Sequence, residues 1–253
     1  MQNQQAIELF HLLFLRQLGE VIDKKFFVLK GGCNLRFFMK SLRYSEDIDL
    51  DVKTISVETL RKNVRKTFQN RSFLHILQTR QIHLQSVSEP KQTDTTQRWK
   101  IQLQIEGRDI PLPTKIAFSR RKQMDGILYE AIDSEIIHQH RLYPVLVQHY
   151  SKETAFAQKV DALCNRSSVQ VRDLFDLDLL LGQNLQKTFF KFPKETLGKA
   201  LKNIQQLRPE DFQSHVVAYL DPKYADYYST THAWEKLKTN VATALEKMND
   251  EIN

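Results

Sequence analysis

Asp47, Asp49 and Asp51 occupy alternate positions of Ser45-Glu46-Asp47-Ile48-Asp49-Leu50-Asp51-Val52, with Ile48, Leu50 and Val52 between them. Side chains in a strand point alternately to opposite faces, so this stretch predicts a strand with one apolar and one acidic face. Two carboxylates at i and i+2 stand roughly 6.6 Å apart along such a strand, close enough to grip a divalent ion that also holds phosphates. The competing reading is an edge strand whose acids are merely solvated. The residues just upstream favour the metal site. Phe26 to Leu29 is a short apolar run, Lys30-Gly31-Gly32 breaks it, and Asn34 to Met39 has helical spacing. A glycine turn from strand to helix exposes backbone N–H groups at a helix N-terminus, where phosphate is well received. A phosphate cradle beside metal carboxylates points to nucleotide chemistry.

A second set of chemically able residues lies far downstream. At 100° per residue Ala155, Lys159, Ala162 and Arg166 fall on one narrow stripe, beside an apolar face of Phe156, Val160 and Leu163. Cations set among small alanines leave room for a ligand; a snorkelling Lys and Arg at a core edge is the plainer account. Leu174, Phe175, Leu177, Leu179, Leu180 and Leu181 make the next helix apolar nearly all round. Acids on a buried helix require partners. Arg172 is the i, i+4 candidate for Asp176, and Lys159 the candidate for Asp173.

These two blocks resemble a known family. Gly-Gly, a helix and then D-x-D on the next strand is similar to the core of polymerase-β-like nucleotidyltransferases. The fuller pattern, Val28-Leu29-Lys30-Gly31-Gly32 with Asn34-Leu35-Arg36, then Arg43-Tyr44-Ser45-Glu46-Asp47-Ile48-Asp49, resembles the AbiEii toxins of type IV toxin–antitoxin systems. Lys159-Val160-Asp161-Ala162 with Arg166, and Arg172-Asp173-Leu174-Phe175-Asp176-Leu177, resemble the family's downstream segments, and the likeness spans roughly residues 10 to 185. It implies an α+β fold, with a mixed-sheet nucleotidyltransferase core over 1–148, flanking helices, and a helical half over 149–253 completing the cleft. It implies transfer of a nucleoside monophosphate from an NTP to an RNA 3′ end, tRNA in particular, with a cognate antitoxin as partner. On this resemblance Asp47 and Asp49 would hold Mg²⁺, Gly31, Gly32 and Ser45 the triphosphate, and Lys159 its developing charge. Lys30, Arg43 and Arg166 would be further phosphate contacts, and Asp173 would orient Lys159 and face the acceptor. Cys33 stands where the wider superfamily often has Ser or Thr, and Ala117 where a third carboxylate is expected; Asp173 is the preferred replacement, with Glu106 and Asp109, turn residues beside Gly107, behind it. Two other functions stay open: a non-catalytic RNA- or protein-binding module on a degenerate scaffold, and a transferase acting on a small molecule or a protein.

The elements that must position these groups follow from spacing. Ile7, Phe10, Phe14 and Leu18 predict an amphipathic helix without the flanks of a signal peptide. Ser56 is the expected N-cap of a helix reaching Phe68, with Arg61, Lys62, Arg65 and Lys66 on one face. Strands are expected at 73–77, 82–87, 99–105 and 114–118, with 88–97 a polar hairpin tip, Arg120-Arg121-Lys122 a basic cluster, and 142–147 a last apolar piece. Helices are expected near 194–207, 209–219 and 232–248, and Tyr224, Tyr227, Tyr228 and Trp234 suggest helix packing over base stacking. A net charge of +7 agrees with a polyanionic partner. Cys33 and Cys164 read as reduced thiols. With no apolar run long enough for a membrane span, the expected location is the cytoplasm.

Overall fold

The structure is a computed structural model and describes residues 2–120, 124–186 and 192–250, so Arg121 and Lys122 of the expected basic cluster lie outside it. Its chain forms two compact units, one of residues 1–40 and 44–150, the other of 41–43 and 151–253.

In the first unit, seven strands form one mixed sheet in the order β3-β4-β5-β2-β1-β7-β6. They are β1 (Phe27–Lys30), β2 (Asp47–Val52), β3 (Ile82–Gln92), β4 (Thr96–Ile105), β5 (Leu112–Ser119), β6 (Ile127–Ala131) and β7 (Leu146–Tyr150). β2 runs antiparallel to β1 and parallel to β5, with Asp47 beside Lys115 and Asp49 beside Ala117. The alternation read from sequence is realised: Ile48, Leu50, Ile101, Trp99, Ile116 and Phe118 are fully buried in one core. Truncating a buried leucine such as Leu50 to alanine costs about 2–5 kcal/mol.

That core is closed by α1 (Asn3–Val21), α3 (Val57–Gln69) and α4 (Arg71–Thr79). The α1 helix is not simply amphipathic, since Ala6 to Leu15 are all buried. Its polar residues are buried because they have partners: Arg36 Nε donates to Glu8 Oε2 at 2.6 Å, and His140 Nε2 lies 2.9 Å from Glu8 Oε1. At the start of α3 the Ser56 hydroxyl accepts from Thr59 N at 3.1 Å, a cap of about 1 kcal/mol.

Residues 73–77 are helical, not extended. Asn70 Oδ1 accepts from Phe73 N at 2.8 Å and caps α4, and Phe73 and Leu77, four apart, turn one face to the core. The expected hairpin tip is also shorter than 88–97, because β3 continues to Gln92 and β4 begins at Thr96. β3 is a sheet edge, where Pro90 falls at a register shift between Ser88 and Lys91 and so removes no needed ladder bond.

The second unit is helical: α6 (Lys152–Asn165), α7 (Val171–Leu181), α8 (Lys194–Gln205), α9 (Pro209–His215), α10 (Pro222–Tyr228) and α11 (Thr231–Asp250); α2 (Gly31–Phe38) and α5 (Ser134–Gln139) belong to the first. Its aromatic residues pack on one another, Tyr228 edge-on to Phe175 at 5.4 Å and Trp234 against Phe212 at 5.3 Å. The Ser41–Arg43 segment joins it through an antiparallel bridge from Arg43 to Leu220.

Candidate active site

In the first unit the turn from β1 into α2 rests on Gly31. Its φ is +67°, a left-handed conformation that glycine adopts without steric cost. A β-carbon there would lie 3.0 Å from Asp49 Oδ2, so the backbone and that carboxylate approach closely. Lys30, at the cap of α2, gives the helix no side-chain cap, which leaves first-turn N–H groups for an anion.

Asp47 and Asp49 project from the face of β2 opposite the core and are half-buried. Burial pushes the Asp47 carboxyl above the usual carboxylate range, against the pull of Lys115, whose ammonium lies 2.5 Å from Asp47 Oδ2. Asp51 shares their face by register but not their environment. It is buried, paired with Lys30, and accepts from the Tyr150 hydroxyl at 2.8 Å. Of the three strand acids, Asp51 therefore serves the fold.

The entry to β2 is held through its backbone carbonyls. Ser45 Oγ donates to Asp47 O at 2.9 Å, and the Cys33 thiol reaches the same oxygen at 3.2 Å. Thr114 Oγ1 donates to Glu46 O at 2.7 Å and meets His11 Nε2 at 2.8 Å. Burial pushes His11 down to about 3, so its ring is neutral at physiological pH. Ser45, expected on the triphosphate, spends its hydroxyl proton on the strand. Cys33 takes part in the same support, and burial pushes its thiol up. Nothing in the sequence pattern singled out His11, Thr114 or Lys115; strand pairing brings Thr114 and Lys115 here, and the packing of α1 brings His11.

The remaining expected residues meet in the second unit. Lys159 Nζ lies 2.9 Å from Asp173 Oδ1 and 2.6 Å from Asp176 Oδ2. Arg43 reaches Asp176 at 3.2 Å, and Arg166 Nε lies 3.0 Å from Asp173 Oδ2. The Lys159–Asp173 pair is the one the helical stripe suggested; Asp176, for which Arg172 was the expected partner, is held by Arg43 and Lys159. Both aspartates are fully buried. Burial pulls the Lys159 ammonium down, but Asp173 and Asp176 outweigh it and hold it above the ordinary lysine range. Burial raises Asp176, and Arg43 and Lys159 more than reverse that, leaving it below the carboxylate range. Lys159, Arg43 and Arg166 thus surround the two buried acids. Arg166 is the exposed member of the three, with two-fifths of its side chain accessible, whereas Arg43 is buried and occupied with Asp176.

Among the described residues no group of three or more His, Cys, Asp or Glu side chains is arranged to hold a metal ion. Asp47 and Asp49 supply two carboxylates, and Ala117 stands beside Asp49 where a third was sought. Two carboxylates completed by water and substrate phosphates are an ordinary Mg²⁺ environment, so the donor set fits that ion only with a nucleotide present.

Compared with known families, residues 13–242 match the model for the nucleotidyl transferase AbiEii toxin of type IV toxin–antitoxin systems. The chain belongs to this family. It is therefore a nucleotidyltransferase, and the acidic strand, glycine turn and Lys159 network all lie inside the matched span. No curated protein matches. Among solved structures, the AbiEii chain resembles JHP933 from Helicobacter pylori at 18% identity and a TM-score of 0.55, covering 100% of this chain and 97% of that one. It also resembles MenT4, a nucleotidyltransferase toxin from Mycobacterium tuberculosis H37Rv, at 16% identity and a TM-score of 0.61, covering 96% and 84%. At these identities the likeness concerns the α+β fold.

Among the described residues no helix is long and apolar enough to cross a membrane.

Proposed function

We propose that this AbiEii protein transfers a nucleoside monophosphate from an NTP to the 3′ end of an RNA, with tRNA as the acceptor, and acts in the cytoplasm as the toxin partner of an antitoxin. The observation that carries the reading is the contact of Gly31 with Asp49: a helix N-terminus open to phosphate lies directly against a carboxylate of the D-x-D pair. Gly31 and Gly32 would take the triphosphate through their N–H groups, with Lys30 close by. Asp47 and Asp49 would hold Mg²⁺, which when bound supplies charge neutralisation at the phosphoryl oxygens. Lys159 would meet charge developing on the phosphates, oriented by Asp173 and Asp176, and Arg166 would add a cation. Arg43 supports Asp176, and Ser45 supports β2.

RNA is favoured as acceptor by the face that carries Asp47. Two short rows of cations lead off from the acids, Lys115 with Lys100 on β4 at the level of Asp47, and Arg98 with Lys91 on β3 at the level of Ala117. Such rows neutralise backbone phosphates in a sequence-independent way. The test incubates the protein with each α-labelled NTP, Mg²⁺ and total cellular RNA, followed by a denaturing gel. Label is expected in RNA of tRNA size and absent with Asp47→Asn. Label entering only protein or a small molecule would overturn the RNA assignment.

A further inference from the structure

The strand pairing places one residue in the acidic pair that the nucleotidyltransferase pattern does not call for. Parallel pairing of β2 with β5 sets Lys115 directly beside Asp47, and its ammonium closes to 2.5 Å from Oδ2. Asp49 has no such lysine. Its register neighbours are Ala117 and Lys30, and Lys30 turns to Asp51. Among the described residues Asp49 makes no ion pair, so the two carboxylates are unequally neutralised. On its other side Lys115 neighbours Lys100, and like charges directly opposite one another repel. Lys115 is thus drawn to Asp47 and pushed from β4. Both partners remain partly exposed, 31% for the Lys115 side chain and 25% for Asp47, so the pair can open without unpacking the core.

We propose that Lys115 is a built-in counter-ion that competes with a divalent cation for Asp47, and that it turns to the substrate's triphosphate when the cation takes its place. This rests on the metal and nucleotide reading given above. A half-exposed pair of this kind is worth about 1 kcal/mol, so the cation must displace a contact of modest strength. The displaced ammonium stands next to a carboxylate now satisfied by the cation, with only the phosphates left to neutralise. Lone cation binding is therefore weak, and cation and nucleotide bind each other's complex better than the free protein. Lys115 is in this sense a positioning residue that makes metal entry depend on the nucleotide.

The test uses the full chain and Mn²⁺ as the probe, titrated by electron paramagnetic resonance, with and without a non-hydrolysable NTP analogue. Lys115→Met is expected to bind Mn²⁺ alone about fivefold more tightly than the natural protein, while Lys115→Arg keeps the weak binding. The gain in Mn²⁺ affinity on adding the analogue is expected to shrink in Lys115→Met and persist in Lys115→Arg. Equal Mn²⁺ affinity in Lys115→Met and the natural protein overturns the proposal alone. Tighter binding in both variants assigns the effect to packing and overturns it too. Mn²⁺ held by none of the three proteins, with or without the analogue, removes the metal reading and this proposal with it.

Discussion

Gly31, just past the end of β1, and Asp49 on the paired strand β2 come so close that a single added carbon on the glycine would stand 3.0 Å from the aspartate's Oδ2. The turn that offers N–H groups and the strand that offers carboxylates are therefore set against each other by one absent side chain. Few other positions tie a backbone conformation so directly to a site residue.

Gly31→Ala tests this tie. The φ of +67° costs a non-glycine residue roughly 1–2 kcal/mol, and the methyl must displace the Asp49 carboxylate besides. Stability in urea should fall by about that amount, and nucleotide transfer by about a hundredfold or more. A variant destabilised as expected but still fully active would show that Asp49 tolerates the displacement.

The acidic strand gives a second test, in which activity and stability part company. Burial holds Asp47 above its usual range, so its charge opposes folding at neutral pH. Asp47→Asn should therefore leave thermal stability unchanged or higher, less what Lys115 loses as a partner, and abolish transfer. Asp49→Asn should do the same. If both variants lose stability together with activity, the strand is a structural edge and its acids are no site.

The buried network predicts a different outcome. Asp176 meets both Lys159 and the buried Arg43, so Asp176→Asn should cost about 3–5 kcal/mol. Asp173→Asn should cost less, because its second partner Arg166 is partly solvated, and should cut transfer by about a hundredfold, roughly 2.7 kcal/mol of barrier. The pH signs follow from the shifts. Asp176 sits below its unfolded value, so its contribution is present above that value and is lost as pH falls through the depressed one. Lys159 sits above its unfolded value, so its contribution is present below that value and is lost as pH rises through the raised one. Thermal melts should be flat in this term between about pH 4 and pH 10 and fall outside it. Asp176→Asn should remove the acid limb.

Salt dependence addresses the acceptor. If the cations Lys100, Arg98 and Lys91 track an RNA backbone, log K should fall with log salt by about 0.7 for each phosphate neutralised. Charge-removing substitutions at Lys100 and Lys91 should each reduce that slope. A flat response would exclude a backbone acceptor and point to a small molecule or a protein hydroxyl.

What could be read ahead of the structure was whatever one segment decides for itself. The period-two acids at Asp47 and Asp49, the Gly31 turn, the Ser56 cap and the Lys159 stripe are local patterns. What was illegible depended on pairing between distant segments. Parallel pairing of β2 with β5 brings Lys115 to Asp47, and the docking of β7 brings Tyr150 to Asp51. Residues 73–77 show the local limit: five residues, all apolar but His75, fit strand or helix, and Asn70 with the four-residue spacing of Phe73 and Leu77 decides for helix.

The membership of Ser41–Arg43 in the second unit has a consequence for how the chain is made. Those residues emerge early in synthesis, yet their bridge partner Leu220 and the carboxylate that holds Arg43 come more than a hundred residues later. A polypeptide released after residue 150 would carry Arg43 with no Asp176 to meet it, and a fragment begun at residue 151 would carry Asp176 without Arg43. Neither half is a ready-made module. The Lys159 network can assemble only once the chain has been made through Asp176, and the Arg43 bridge only once it has been made through Leu220.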